Sequence, residues 1–476
     1  MPENWQPFPL VAPPNESVEE EQLDQSAATM VDWVPVLVDG QLQLMKRPGL
    51  TEWINLGTSA PIDGLYWWDK QRCALVVSAG RVWKITDGNG TITEITGSTA
   101  LRLSAMATFA DNGTNCVIAN GANMVHTDLS TLTTMADPDA PDHVTHVAYL
   151  DGYFLANDAD TGVVSYSDLN SLTAWQALSF FTAESRPDDV VAMKEGFREI
   201  CAAGRESVEF WYNDGTTPFA RISGSAQPFG ISAPYSLALV GASWMWLGDK
   251  RQFMTMTGRQ VTPVSSPYDR IIQRYQAVDD AVGYATTIDE VPLYVLNFPT
   301  ARQTLCYNIQ TQMWGKWGYW DAGRAEYQRY RGQSYCYAKG WNYHLVGDYA
   351  NGIIYKASRT TFSDNGNTIR SLLRTGNASY GVEATKRSDC LRLRCKRGLG
   401  DDTTADPQIV MRQRLDNKAQ WQSERWKSLG RVGKHELTID WRRNGVFKTV
   451  QREFIHTDPT DCILIGAKED ITLLGR

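Results

Sequence analysis

Four short apolar runs within residues 190–222 set the terms for the whole chain. They occupy 190–193, 200–203, 208–212 and 219–222, and are broken at Lys194-Glu195-Gly196, Gly204-Arg205 and Asn213-Asp214-Gly215. Runs of four or five β-branched and aromatic residues, punctuated by Gly, Asn and Asp, read as antiparallel strands joined by hairpins. The same four-strand meander recurs along the chain. With Trp83, Val125, Ser165, Glu209, Phe253, Cys306 and Ile354 as markers of the third strand, successive copies are 42, 40, 44, 44, 53 and 48 residues apart. A more apolar strand precedes each marker, at 75–77, 117–119, 153–155, 200–202, 244–247, 293–296 and 343–346. A β-propeller blade needs this period and this strand count, and its inner strands are apolar throughout because each blade buries both faces. The repeat predicts an all-β fold with a propeller of about seven blades over residues 58–370; six and eight are the neighbouring counts.

The flanks differ from the repeat. Five prolines in the first fourteen positions, then Glu16, Glu19, Glu20, Glu21 and Asp24, leave residues 1–30 unable to bury a core alone. Such a segment is either a disordered tail or an arm that orders on a neighbouring subunit. Its apolar anchors Trp5, Phe8, Leu10 and Val11 are the candidate subunit or adaptor contacts, and residues 1–57 as a whole are assigned to this arm and lead-in strands. After residue 370 the pattern becomes a clean alternation, as in Leu391, Leu393 and Cys395 against Arg392, Arg394 and Lys396. About six such strands predict a separate antiparallel β-sandwich over 371–476, wet on its outer faces. Residues 386–452 carry a net charge of +9 while the rest of the chain sums to −17, so the two parts are expected to face different partners.

Recognisable chemistry is sparse. There is no phosphate-binding glycine loop, no HExxH and no GxSxG, and the six histidines are scattered. His143 and His146 are close enough to share a metal, but no further ligand completes a set, so neither a metal nor a cofactor is expected. The eight cysteines form no CxxC pair and lie in apolar strands, which suits reduced core thiols in a protein made in the cytoplasm. No apolar run reaches the roughly 18 residues of a membrane span, and the N-terminus has no basic region of a signal peptide. Residues 414–421 match the spacing of the sialidase Asp-box only at Asp416 and Trp421, which speaks for a hairpin. No catalytic residues are assigned, and no hydrolase activity is expected.

Several tracts, in order, carry a resemblance. They are Trp33-Val34-Pro35, Arg47-Pro48-Gly49-Leu50, the segment from Phe181 through Arg186-Pro187-Asp188-Asp189, the segment from Ser265 to Ile272, and Trp426 through Asn444-Gly445. In that order the chain resembles the packaged-DNA stabilisation proteins of short-tailed phages, also called tail hub or nozzle proteins. The resemblance implies a structural protein of the virion tail, made in the host cytoplasm and assembled as a hexameric ring beneath the portal and its head-to-tail adaptor ring. It further implies contacts with tail fibres or spikes and with a plug or needle, and with the host envelope only indirectly. Double-stranded DNA would pass along the ring without specific binding. An acidic surface suits that role, since Lys and Arg are what grip phosphate, and six copies at −8 each carry about −48. The alternatives are a carbohydrate-binding or sialidase-like propeller on a phage tail and a generic scaffold propeller.

Overall fold

The computed structural model describes residues 4–11, 29–97, 101–159, 161–183, 188–215, 218–264 and 268–474. The predicted acidic run at 16–24 lies outside the described residues, as do Ser265–Pro267 and Glu184–Pro187. The 190–222 repeat forms Val190–Gly196, Glu199–Gly204, Val208–Tyr212 and Ala220–Arg221, paired in sequence as one antiparallel sheet. Six further four-stranded units surround the same axis, and every third-strand marker falls in the third strand of its blade. Second strands such as Cys73–Ser78 and Ser243–Leu247 are buried at every position, because a blade is covered on both faces. The cores therefore lie in the seams, with one apolar cluster between each pair of neighbouring blades.

The ring closes with a strand from the N-terminal side. Blade 7 takes Gly332–Ala338, Tyr343–Asp348 and Ile353–Ser358 from the end of the repeat, and Gly49–Asn55 supplies its fourth strand, antiparallel to Ile353–Ser358. The propeller thus begins at Gly49, not at 58. A side chain could not replace the hydrogen at Gly49, where a Cβ would lie 2.5 Å from the Thr361 carbonyl oxygen.

The sandwich is built from both ends of the chain, which corrects the expected division at 57 and 370. One sheet runs Trp33–Val38, Gln41–Lys46, Ile463–Leu473, Lys386–Cys395 and Ile439–Phe447, with Trp5–Phe8 also paired to Ile463–Leu473. The other runs Ser371–Arg374, Val450–His456, Gln408–Leu415 and Arg425–Ser428. Leu391, Leu393 and Cys395 point inward as predicted, and meet Trp33, Leu44, Trp441 and Phe454 in one core. Nor is the sandwich separate. Thr29–Val31 pairs with Ser371–Arg374 on one side and with the blade 6 strand Met313–Asp321 on the other, so a single sheet crosses from propeller to sandwich. Val34 and Val36 fill the seam between blades 6 and 7. Strands pair where edge and apolar face match, and chain order does not constrain that choice.

Arg47 lies at this junction with no exposed side-chain surface. Its Nε donates to Asp32 Oδ1 at 2.7 Å, Nη1 to Asp364 Oδ1 at 2.9 Å, and Nη2 to the Gly318 carbonyl at 2.8 Å, with a second contact from Nη2 to Asp364. Asp32 Oδ1 also accepts the Gly318 amide at 2.8 Å, and the guanidinium lies 4.9 Å from the centre of the Tyr330 ring. Burial opposes the Arg47 charge, but Asp32 and Asp364 outweigh it and hold its pKa well above the ordinary value. Replacing Arg47 by methionine would leave two buried carboxylates facing each other, a loss of about 3–5 kcal/mol for breaking a buried pair. Arg47→Met should lower the thermal midpoint of the full chain. Adding Asp32→Asn and Asp364→Asn to the Arg47→Met variant should restore part of that loss. Differential scanning calorimetry on the parent, the single variant and the triple variant measures this.

Candidate functional site

All seven first strands run along the propeller axis, and their side chains close it. Tyr66 stacks on Phe109 with ring centroids 5.2 Å apart, Tyr284 on Tyr335 at 5.4 Å, and His146 on Tyr235 at 5.0 Å. Tyr66 also donates a short hydrogen bond to Asp111. What remains is a cavity of about 630 Å³, comparable to the roughly 300–1,000 Å³ of small-molecule pockets. Lys194 and Glu195 face it side by side. Enclosure lowers the Lys194 pKa and raises that of Glu195, moving both towards neutrality. Burial and the nearby Lys194 lower His146 to about 3, so it is a neutral ring at any physiological pH. His143 is exposed, and among the described residues no His, Cys, Asp and Glu side chains converge as a metal-ligand set. All eight cysteines are free thiols, and only Cys390 is not fully buried.

The arm anchors are occupied within the chain. Phe8 and Leu10 are buried in the sandwich core, and Val11 packs on it. The Phe8 ring lies 4.8 Å from the guanidinium of Arg452, which pairs with Glu469 in the same core at 2.5 and 2.8 Å. Trp5 is half-buried against Arg392 and Lys468. Four strand positions, Trp5 to Phe8 opposite Asp470 to Ala467, hold these residues there. The described part of the arm is thus a sandwich strand, and the expectation that these four residues bind a neighbour meets a site already filled. The sequence did hold a signal for this, since the long strand pattern at its far end needed a partner along its edge.

Other tracts singled out by sequence are also structural. Asp188 accepts the amides of Arg205, Glu206 and Ser207 at 2.6–3.0 Å, tying the lead-in of blade 4 to its own hairpin. Phe181 stacks on Trp211 at 4.2 Å across the seam of blades 3 and 4. Tyr268 and Ile272, around the short helix Asp269–Gln273, pack into the seam of blades 5 and 6. Asp416 accepts the amides of Lys448 and Thr449, and Trp421 lies under Arg374, Arg412 and Arg414. The Asp-box fragment is thereby used to hold a turn, and lends nothing to a sugar-cleaving reading.

Charge is the feature the sequence reading undercounted. From 103 to 185 the chain has no Lys or Arg, yet carries nine Asp and one Glu. Among the described residues this puts eight Asp and no Lys or Arg on blades 2 and 3 and their loops, opposite in sign to the basic sandwich.

Residues 20–362 match the family model described as Bacteriophage P22 Gp10, beta-propeller. No curated protein matches. Among solved structures, BamB from Moraxella catarrhalis aligns over 70% of this chain and 97% of its own, with 10% identity and a TM-score of 0.40. YCF48 bound to a D1 peptide aligns over 66% and 99%, with 12% identity and a TM-score of 0.42.

One carboxyl beside the axis makes stability pH-dependent. Asp63 is buried at the start of the blade 1 axial strand, and its Oδ2 has no hydrogen-bond partner among the described residues. Burial pushes its pKa up to about 7, whereas an unfolded Asp titrates near ~3.9. Between those values the unfolded chain has released the proton and the folded chain has not, so stability falls as pH rises from about 4 to about 7. Asp63→Asn removes that slope. Its thermal midpoint should match the parent near pH 4 and exceed it at pH 8; equal midpoints at both would refute this account. A second change tests the arm: Phe8→Ala should cost about 3–5 kcal/mol of sandwich stability, seen as earlier loss of hydrogen-exchange protection in 463–473.

Proposed function

Because the chain belongs to the bacteriophage P22 Gp10 β-propeller family, a family of phage structural proteins, we propose that it is a tail hub, or nozzle, of the virion. In this reading copies of the chain form a ring, six by the family resemblance, below the portal and adaptor. The ring continues the DNA path and retains the packaged genome until ejection. Fibres or spikes and a plug or needle attach to it. The family match over 20–362 carries the reading.

The axial cavity says how DNA would pass. A cavity of about 630 Å³ left between stacked rings has no room for a duplex whose major groove alone is about 12 Å wide. The conduit is then the space enclosed by several copies, and each propeller is wall material. A wall of this kind should not hold phosphate, and a chain of net charge −8 avoids the counterion release that drives non-specific DNA binding. The work is mechanical and electrostatic, with no catalytic step.

Electron micrographs of the protein mixed with a portal–adaptor complex test this. The expected result is an added ring, coaxial with the portal and open along its axis, and particles assembled without the protein should leak DNA. A protein that ignores the complex, or particles that keep their genome without it, would sink the reading.

A further inference from the structure

The blades differ in how their outer edges are protected. Blades 1, 2, 4 and 5 end in Ile92–Ile95, Leu132–Thr134, Ala220–Arg221 and Gln260–Pro263, which are short, and three of which bear a charge or a proline. The outer strands of blades 6 and 7 are covered by further strands. Blade 3 ends in Trp175–Thr182, eight residues without a charge, paired among the described residues with Val163–Ser167 alone and bulged between Trp175 and Phe180. Leu178 on it is 87% exposed and Phe180 is 43% exposed. The bulge spoils this edge as a template for a further strand, but its exposed apolar side chains still form a surface that a partner can cover. Two carboxylates stand at its start: Asp137 accepts the Trp175 amide and Asp168 the Gln176 side chain, both at 3.2 Å, within a stretch of sequence that has no Lys or Arg.

The sandwich has a rim of opposite charge. Arg425–Ser428 and Ile439–Phe447 are the outermost strands of their sheets and lie side by side, joined where Trp441 Nε1 donates to the Arg425 carbonyl at 3.0 Å. Trp426 is 55% exposed and Val446 is 48% exposed there, among exposed Lys427, Arg442, Arg443 and Lys448.

We propose that these two surfaces bind each other between copies: the blade 3 edge of one chain docks on the sandwich rim of the next. The proposal rests on the ring reading above and specifies its contact. Each surface supplies exposed apolar side chains at the centre and opposite charges at the border, the arrangement that gives specific and steered association. Pairing blade 3 with its own copy would set like charge against like charge, and such juxtaposition is disfavoured. Since the two patches are different parts of one chain, the contact is head to tail, and such contacts repeat into a ring when the rotation closes.

Sedimentation velocity of the full chain, across a concentration series at about 0.05 M and about 0.5 M salt, tests it, with Leu178→Glu and Trp426→Glu as variants. Both residues are exposed, so both variants should keep the parent melting temperature. The parent should associate more at low salt, and each variant alone should be monomeric. An equal mixture of the two variants should form a dimer and nothing larger, because one intact pair of surfaces survives between them. Variants that assemble like the parent, a mixture that stays monomeric, or a parent that never associates would each overturn the proposal. The portal–adaptor images separate this from the ring reading: a parent that joins the tail while both variants also join leaves the ring standing and moves its contact elsewhere.

Discussion

A single guanidinium holds the two halves of this protein in register. Arg47 reaches Asp32 beside the bridging strand, Asp364 after blade 7 and the Gly318 carbonyl in blade 6. All of these groups are buried, so each depends on the others for its hydrogen bonds and its charge balance. Remove the cation and two carboxylates remain in an apolar seam. Shift any one of the three strands by a residue and the fork no longer meets both acids. The planar geometry of arginine matters here, because its fixed fork meets the Asp364 carboxylate with two nitrogens while Nε reaches Asp32.

Closure of the propeller follows from the same region. Gly49–Asn55 leaves Arg47-Pro48 and enters blade 7 directly, so the residue that pins the junction also positions the strand that seals the ring. The bridging strand Thr29–Val31 then extends blade 6 into the sandwich. The seal joins Asn55 to Ile353 and Gly49 to Ser358, residues from opposite ends of the repeat. A ring closed in this way resists opening at its seam, which suits the proposed role of retaining packaged DNA. Stacked rings along the axis serve the same end. They narrow it to a cavity of about 630 Å³ and leave the passage of DNA to the assembly.

Charge is segregated along this chain. The acid-only stretch across blades 2 and 3 and the basic sandwich rim belong to one chain, at separate places along it. The reading of net charge over broad regions located the basic part but missed how completely the acidic part excludes Lys and Arg. A count by blade would have found it. The four anchors of the arm raise a different point. Proline-rich composition and apolar side chains say that a segment needs a partner, and say nothing about whether that partner is another chain or the same one. Phe8 and Leu10 found theirs in the sandwich, beside Ile463–Leu473.

What the sequence determined by itself is the repeat. A count of about seven blades, the strand order within each blade and the burial of second strands follow from a local rule, since a strand covered on both faces must be apolar along its length and hairpin turns announce themselves in Gly, Asn and Asp. The inward set of Leu391, Leu393 and Cys395 was legible by the same rule. Only the tertiary structure decided which strand closes blade 7, that Trp33–Val38 and Gln41–Lys46 belong with the C-terminal sheets, and that Arg47 ends between two acids. Most of these pairings join positions hundreds of residues apart. Their selection depends on matching edges, volumes and buried charges in three dimensions, and no short window along the chain contains both members.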